Sequence, residues 1–79
     1  MPIERVADCA QCTGVVSVDD AERLLGLLQD DAPLTVDLSE CTHLHAANLQ
    51  VLMAASPAVV AWPSHAHFAM WLRAALSAR

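Results

Sequence analysis

Two short apolar runs rich in β-branched residues, Leu34–Leu38 and Ala58–Trp62, are each followed within a few residues by apolar positions at helical spacing. A helix that follows one strand and leads to the next carries the chain back across the sheet, so these strands are expected to lie parallel. After the first run, Leu49, Leu52 and Met53 share a helical face, and Ser56-Pro57 stops the helix because proline has no amide to continue it. A helix over about 46–55 is predicted. After the second run, Phe68, Trp71, Leu72, Ala75 and Leu76 fall on one face, with Ser64 as the expected N-cap.

Upstream, Asp19 and Glu22 have capping-box spacing, and Ala21, Leu24, Leu25 and Leu28 form one apolar face, which predicts a helix over about 19–29. Asp30-Asp31-Ala32-Pro33 reads as a turn. Residues 3–18 mix β-formers with small polar residues, and Thr13–Val18 reads as the exit from a strand or hairpin. The expected fold class is α/β: a small mixed sheet with parallel central strands and right-handed helical crossovers. Leu34–Leu38 should be central and covered on both faces. Seventy-nine residues, 56% of them hydrophobic, suit one compact domain spanning 1–79 and leave no room for a second core.

The charge balance excludes some partners. A net charge of −5, with no lysine and only Arg5, Arg23, Arg73 and Arg79 as cations, lacks the basic stripe that a phosphate backbone requires, so no nucleic acid is expected. No apolar run reaches the roughly 18 residues of a membrane span, and Met1–Arg5 lacks the apolar core of a signal peptide. The expectation is a cytoplasmic protein without membrane insertion. Three cysteines, Cys9, Cys12 and Cys41, are an odd count that a reducing compartment would keep as thiols.

The stretch from Leu34 to Met53 resembles the signature segment of STAS domains, the family of anti-sigma-factor antagonists and of the cytoplasmic tails of SulP-type anion transporters. In that family a hydrophobic strand ends in Asp-Leu-Ser, here Asp37-Leu38-Ser39, and after a short turn an Asp-Ser-Ser-Gly-Leu-like element starts a helix. In this chain His45 takes the place of that Asp, Ala46 of the serine phosphorylated by the partner kinase, Ala47 of the next small residue and Asn48 of the Gly. The resemblance implies a minimal STAS-like fold and a non-catalytic regulatory module. It further implies a protein partner, such as an anti-sigma kinase, a sensor or a transporter component. The phosphoacceptor is absent, so binding is expected to be constitutive with respect to that kinase or controlled by some other input, with Ser39 and Thr42 the only local hydroxyls that could substitute for the serine. The expected contacts are His43, His45, Ala46, Ala47, Asn48 and Gln50, with self-association as a homodimer.

Other chemistry-bearing residues are few. His43 and His45, and His65 and His67, follow the ends of strands read as parallel, so they should share one sheet edge, where helix-start hydrogen bonding or surface polarity is the expected role and neutral imidazoles with Cys41 are candidate metal ligands. No cofactor is expected, and the runner-up function is a metal- or small-ligand-binding protein built on these pairs. Four histidines also make pH-sensitive association conceivable between about pH 5 and 7. Cys9-Ala-Gln-Cys12 has redox or zinc spacing but not the strand-to-helix setting that activates a thiol. Trp62, Phe68 and Trp71 are expected in the core. Asp37, inside an apolar strand, is expected to cap a neighbouring loop or helix. Cys41, His43 and Asp37 are the only local set resembling a catalytic trio, and a domain this small offers little wall to exclude water, so no enzymatic activity is expected.

Overall fold

The computed structural model describes residues 2–29 and 34–77. The expected turn at Asp30–Pro33 lies outside the described residues. In chain order the elements are β1 (Ile3–Val6), β2 (Cys9–Val16), a 3₁₀ turn (Val18–Asp20), α1 (Ala21–Leu28), β3 (Thr35–Leu44), α2 (Ala46–Ala55), β4 (Ala58–Ala61) and α3 (Ala66–Ser77). The strands form one mixed sheet in the order β1-β2-β3-β4, with β1 antiparallel to β2 and the other pairs parallel.

The N-terminal region is a hairpin. Its two-residue turn, Ala7-Asp8, places Ala7 in the left-handed region at φ 56°. The turn is tied down because the Thr35 amide donates to the Asp8 carbonyl at 2.9 Å.

One face of the sheet and all three helices share a single core. Ile3, Ala10, Cys12, Val16, Val36, Leu38, Cys41 and Leu44 point inward from the strands and meet Leu24, Leu52, Leu72 and Leu76 from the helices. Covering a leucine side chain fully contributes about 1.5–3 kcal/mol. The opposite sheet face carries Gln11, Thr13, Val15, Thr35, Asp37, Glu40 and His43, and no described helix covers it. Strand β3 is therefore covered on one face, not two: Thr35 and Asp37 alternate outward between inward Val36 and Leu38. Connections of one hand that run in one direction across a sheet put their helices on the same side, and α1 and α2 pack against each other there.

Strand β3 runs six residues beyond the expected Leu38. It does so through two irregularities: Gln11 and Thr13 pair with Asp37 and Glu40, and Gly14 and Val15 pair with Cys41 and His43. Each inserts one extra residue into β3, so the inward positions are 36, 38, 41 and 44 instead of a strict alternation. Gly14, at φ 63°, supplies the left-handed backbone beside the second bulge without Cβ strain. At the first bulge the Ser39 amide and hydroxyl both donate to Asp37 Oδ1, at 2.9 and 2.7 Å. Asp37 thus caps its own strand's kink and not a neighbouring element.

Both sheet edges are blunted. The Arg23 guanidinium of α1 donates through Nε to the Ile3 carbonyl at 3.0 Å, and β4 carries a bulge at Val60. Strand β4 is an edge strand with Val60 59% exposed, not the buried strand expected. Such devices oppose strand addition by another chain.

Helix starts also differ from expectation. The chain enters α1 through the 3₁₀ turn, where the Ser17 amide and hydroxyl donate to Asp20 Oδ2 at 2.8 and 3.0 Å; Ser17 and Asp20 take the role assigned to Asp19 and Glu22. Before α3 the imidazole of His65, not Ser64, meets the first turn, with Nδ1 accepting from the Phe68 amide at 3.3 Å. Helix α2 ends as expected, with Ser56 in the left-handed region donating to the Leu52 carbonyl ahead of Pro57. Two apolar residues expected inside are outside: Leu27 takes the inward place of Leu25, which is 38% exposed, and Trp71 is 53% exposed. No described helix is long and apolar enough to cross a membrane.

The Ser39 bonds, the hydroxyl first, hold the Asp37 carboxyl below its usual value of 3.8. A depressed folded value stabilises above the unfolded one and is lost as pH falls through the folded one. Acid unfolding followed from pH 5 down to 2 should therefore lose a component below about pH 3.8. That component should disappear in Asp37→Asn, and the carboxyl resonance should titrate closer to 3.8 in Ser39→Ala.

Candidate functional site

The C-terminal ends of β2 and β3 lie side by side, and each opens directly into a helical segment. Grooves beyond such strand ends are where open parallel sheets gather binding groups. The last rung of the ladder is the His45 amide donating to the Val16 carbonyl at 2.9 Å, and α2 begins at the next residue. His45 is the N-cap: its backbone is extended and its Nδ1 accepts from the Ala47 amide at 3.0 Å. That bond needs a lone pair on Nδ1, so the neutral ring carries its proton on Nε2.

Asn48 stands one turn in, fully buried, with Nδ2 donating to the Ser17 carbonyl at 2.7 Å and to the Val16 carbonyl at 3.4 Å. The amide could not be turned round, since its oxygen would then face two carbonyls. Asn48 Oδ1 is buried and has no hydrogen-bond partner among the described residues. In a capping box the side chain at this position accepts from the N-cap amide. Here the His45 amide already serves Val16, so the residue needed at 48 is a donor to carbonyls.

The expected contact residues divide accordingly. His43, His45, Ala46 and Gln50 are exposed and Ala47 is half-buried, with His43 on the uncovered sheet face and the other four on α2 and its cap. Asn48 is the correction: it points inward, joins the two strand ends and offers no surface. Ala46 is the exposed first residue of α2. Of the nearby hydroxyls, Ser39 is committed to Asp37 while Thr42 is exposed.

The other candidate constellations are not assembled. Cys41 faces the core and His43 the opposite sheet side, with Cys41 Sγ 3.5 Å from the His43 carbonyl oxygen and Asp37 bound to Ser39. Among the described residues no three His, Cys, Asp or Glu side chains converge as a metal site. The His65 and His67 rings stand edge to face, 6.5 Å between centroids, and Nδ1 of both His45 and His65 is engaged by a helix amide. Cys9 and Cys12 pair with Val6 and Ile3 across a regular hairpin, and a three-residue step along a strand turns them to opposite faces. Burial pushes the Cys12 thiol up to about 12 and raises Cys41 as well. A raised thiol pKa disfavours the thiolate, the nucleophilic form.

Substitutions at 48 separate a buried carbonyl clasp from an ordinary cap. An acid near a helix N-terminus is normally favourable. Here Asn48→Asp would set a carboxylate against two carbonyls and should destabilise by about 3–5 kcal/mol in urea unfolding, against about 2 kcal/mol for Asn48→Ala. His45→Ala should cost about 1 kcal/mol and His45→Asp much less.

Comparison with known protein families, with characterised proteins and with solved structures finds no match for this chain.

Proposed function

We propose that the chain is a non-catalytic, STAS-like interaction module that docks a larger signalling or transport protein through the β3–α2 junction and the outward side of α2, without serine phosphorylation. The observation that carries this is the character of that side. Helix α2 has no charged residue in its ten positions, and its exposed stripe is Ala46, Gln50 and Ala54. Solvated helix faces are ordinarily charged. A face of small, uncharged side chains lets another helix approach its backbone closely, and the Asn48 clasp fixes its orientation before any partner arrives.

The element order, and α2 starting where the resemblance puts the regulatory serine, support the STAS-like part of the proposal. One departure stands beside it: Asp37-Leu38-Ser39 lies in the middle of β3, not at its end. With alanine at 46, the position that carries the family's phosphoserine has no hydroxyl for a partner kinase to modify.

Placing a photo-crosslinking residue at position 50 in the native cell should trap one predominant partner. Ala54→Arg should weaken that complex at least tenfold while leaving the melting temperature within about 2 °C, as surface substitutions generally do. Ala46→Glu should weaken it comparably without loss of stability, because a carboxylate suits the first turn of a helix. A partner that binds both variants as tightly as the parent chain would remove α2 from the interface.

A further inference from the structure

The two helical positions expected in the core and found outside it, Leu25 and Trp71, lie on two exposed stripes with opposite electrostatic character. On α3 the outward positions His67, Met70, Trp71 and Ala74 follow helical i, i+3, i+4, i+7 spacing, with Met70 63% exposed. The inward face of the same helix is also apolar, through Phe68, Leu72 and Leu76. A helix apolar on both sides is one that something covers. Its cation is Arg73, seated over the Trp62 ring at 5.1 Å, and it has no carboxylate.

The second stripe is on α1 and the 3₁₀ turn before it. Val18 and Leu25 are exposed there beside Glu22, Asp19 and Gly26. Gly26 is informative because nothing within the chain calls for it. It sits in mid-helix, a Cβ built on it meets no atom within 4 Å, and its φ is not positive. Glycine there weakens the helix relative to alanine. A bare backbone at an exposed position is what a bulky side chain from another molecule would need in order to come close.

Charge separates the same two regions. All nine carboxylates fall in residues 4–40, where with Arg5 and Arg23 they give −7, while residues 41–79 hold Arg73, Arg79 and every histidine with no carboxylate, giving +2 with histidine neutral. Helix α1, with Glu22, packs on β1 and β2 at one end of the sheet, while α3 follows β4 at the opposite edge.

We infer that the occupant of the α3 stripe is a second copy of this chain, whose α1 receives Trp71 and Met70 against Gly26 and Leu25 while Arg73 meets Glu22 and Asp19. The contact is heterologous, head to tail, because each copy contributes a different face. It therefore repeats until a ring closes or continues as an open series. Strand addition is not its route, since both sheet edges are blunted. It uses neither the β3–α2 junction nor the outward side of α2, so it stands or falls independently of the proposed partner interface.

Sedimentation of the full chain over about 5–500 µM should show a mass that passes beyond dimer as concentration rises and falls back when salt is raised from 0.05 to 0.5 M, as charge-complementary contacts do. Trp71→Glu and Leu25→Arg should each be monomeric alone. Mixed, they should form a 1:1 pair and nothing larger, because one supplies an intact α1 face and the other an intact α3 face. Gly26→Gln should melt at a higher temperature than the parent chain yet associate at least tenfold more weakly, which separates a docking role from a folding role and serves as the second probe if Trp71→Glu fails to fold. A parent chain that stays monomeric at 500 µM overturns the inference. So does a dimer abolished by Trp71→Glu but untouched by Leu25→Arg and Gly26→Gln, which would be a symmetric α3 contact.

Discussion

Two consecutive carbonyl groups at the end of β2 hold the molecule's architecture together. The Val16 carbonyl accepts from the His45 amide and from Asn48 Nδ2, and the Ser17 carbonyl accepts from Asn48 Nδ2 and from the Asp20 amide. Four hydrogen bonds from three donor groups thus meet at two adjacent peptide units. They close the last rung between β2 and β3, start α2 and start the turn into α1. The helices cannot shift relative to the strand ends without breaking a buried hydrogen bond, and a buried polar group left unsatisfied costs about 1–3 kcal/mol. The junction is rigid because polar geometry is imposed on it from inside.

The parts of the fold governed by local periodicity were legible in the residues. The boundaries of α2, the parallel pairing of the later strands and the inward run Leu49, Leu52 and Met53 all follow from spacing and from Ser56-Pro57. What escaped was set by contacts distant in sequence. Asn48 at the third position of a helix looks like a surface residue until the carbonyls of Val16 and Ser17, more than 30 positions away, are brought to it. Leu25 and Leu27 are equally apolar, and only the tilt of α1 against the sheet decides between them. Trp71 satisfied the same helical face as Leu72, yet its indole rests beside Phe68 at the surface, with ring centroids 6.4 Å apart. The imidazoles of His45 and His65 were legible as helix-start hydrogen-bonding groups from their place between a strand end and a helix, and their geometry is that of caps.

A sheet covered on a single side divides the surface into three regions of different chemistry. The bare sheet face is largely polar and tolerates water. The edges are closed by Arg23 and by the bulge at Val60. The helical layer carries uncharged and apolar side chains at its surface, at α2, at α3 and beside Gly26, while the strands expose Val6, Val15 and Val60 singly.

The two bulges of β3 bear on how this chain can vary in length. In a regular strand, losing one residue turns every later side chain to the opposite face. Where an extra residue is already stored as a bulge, its loss regularises the ladder and leaves Val36, Leu38, Cys41 and Leu44 facing the core as before. Positions 39 and 42 are therefore places where a related chain can be one residue shorter without exchanging inside for outside. At 39 that shortening would also dissolve the Asp37–Ser39 clasp, so the two sites are equivalent for packing but not for chemistry.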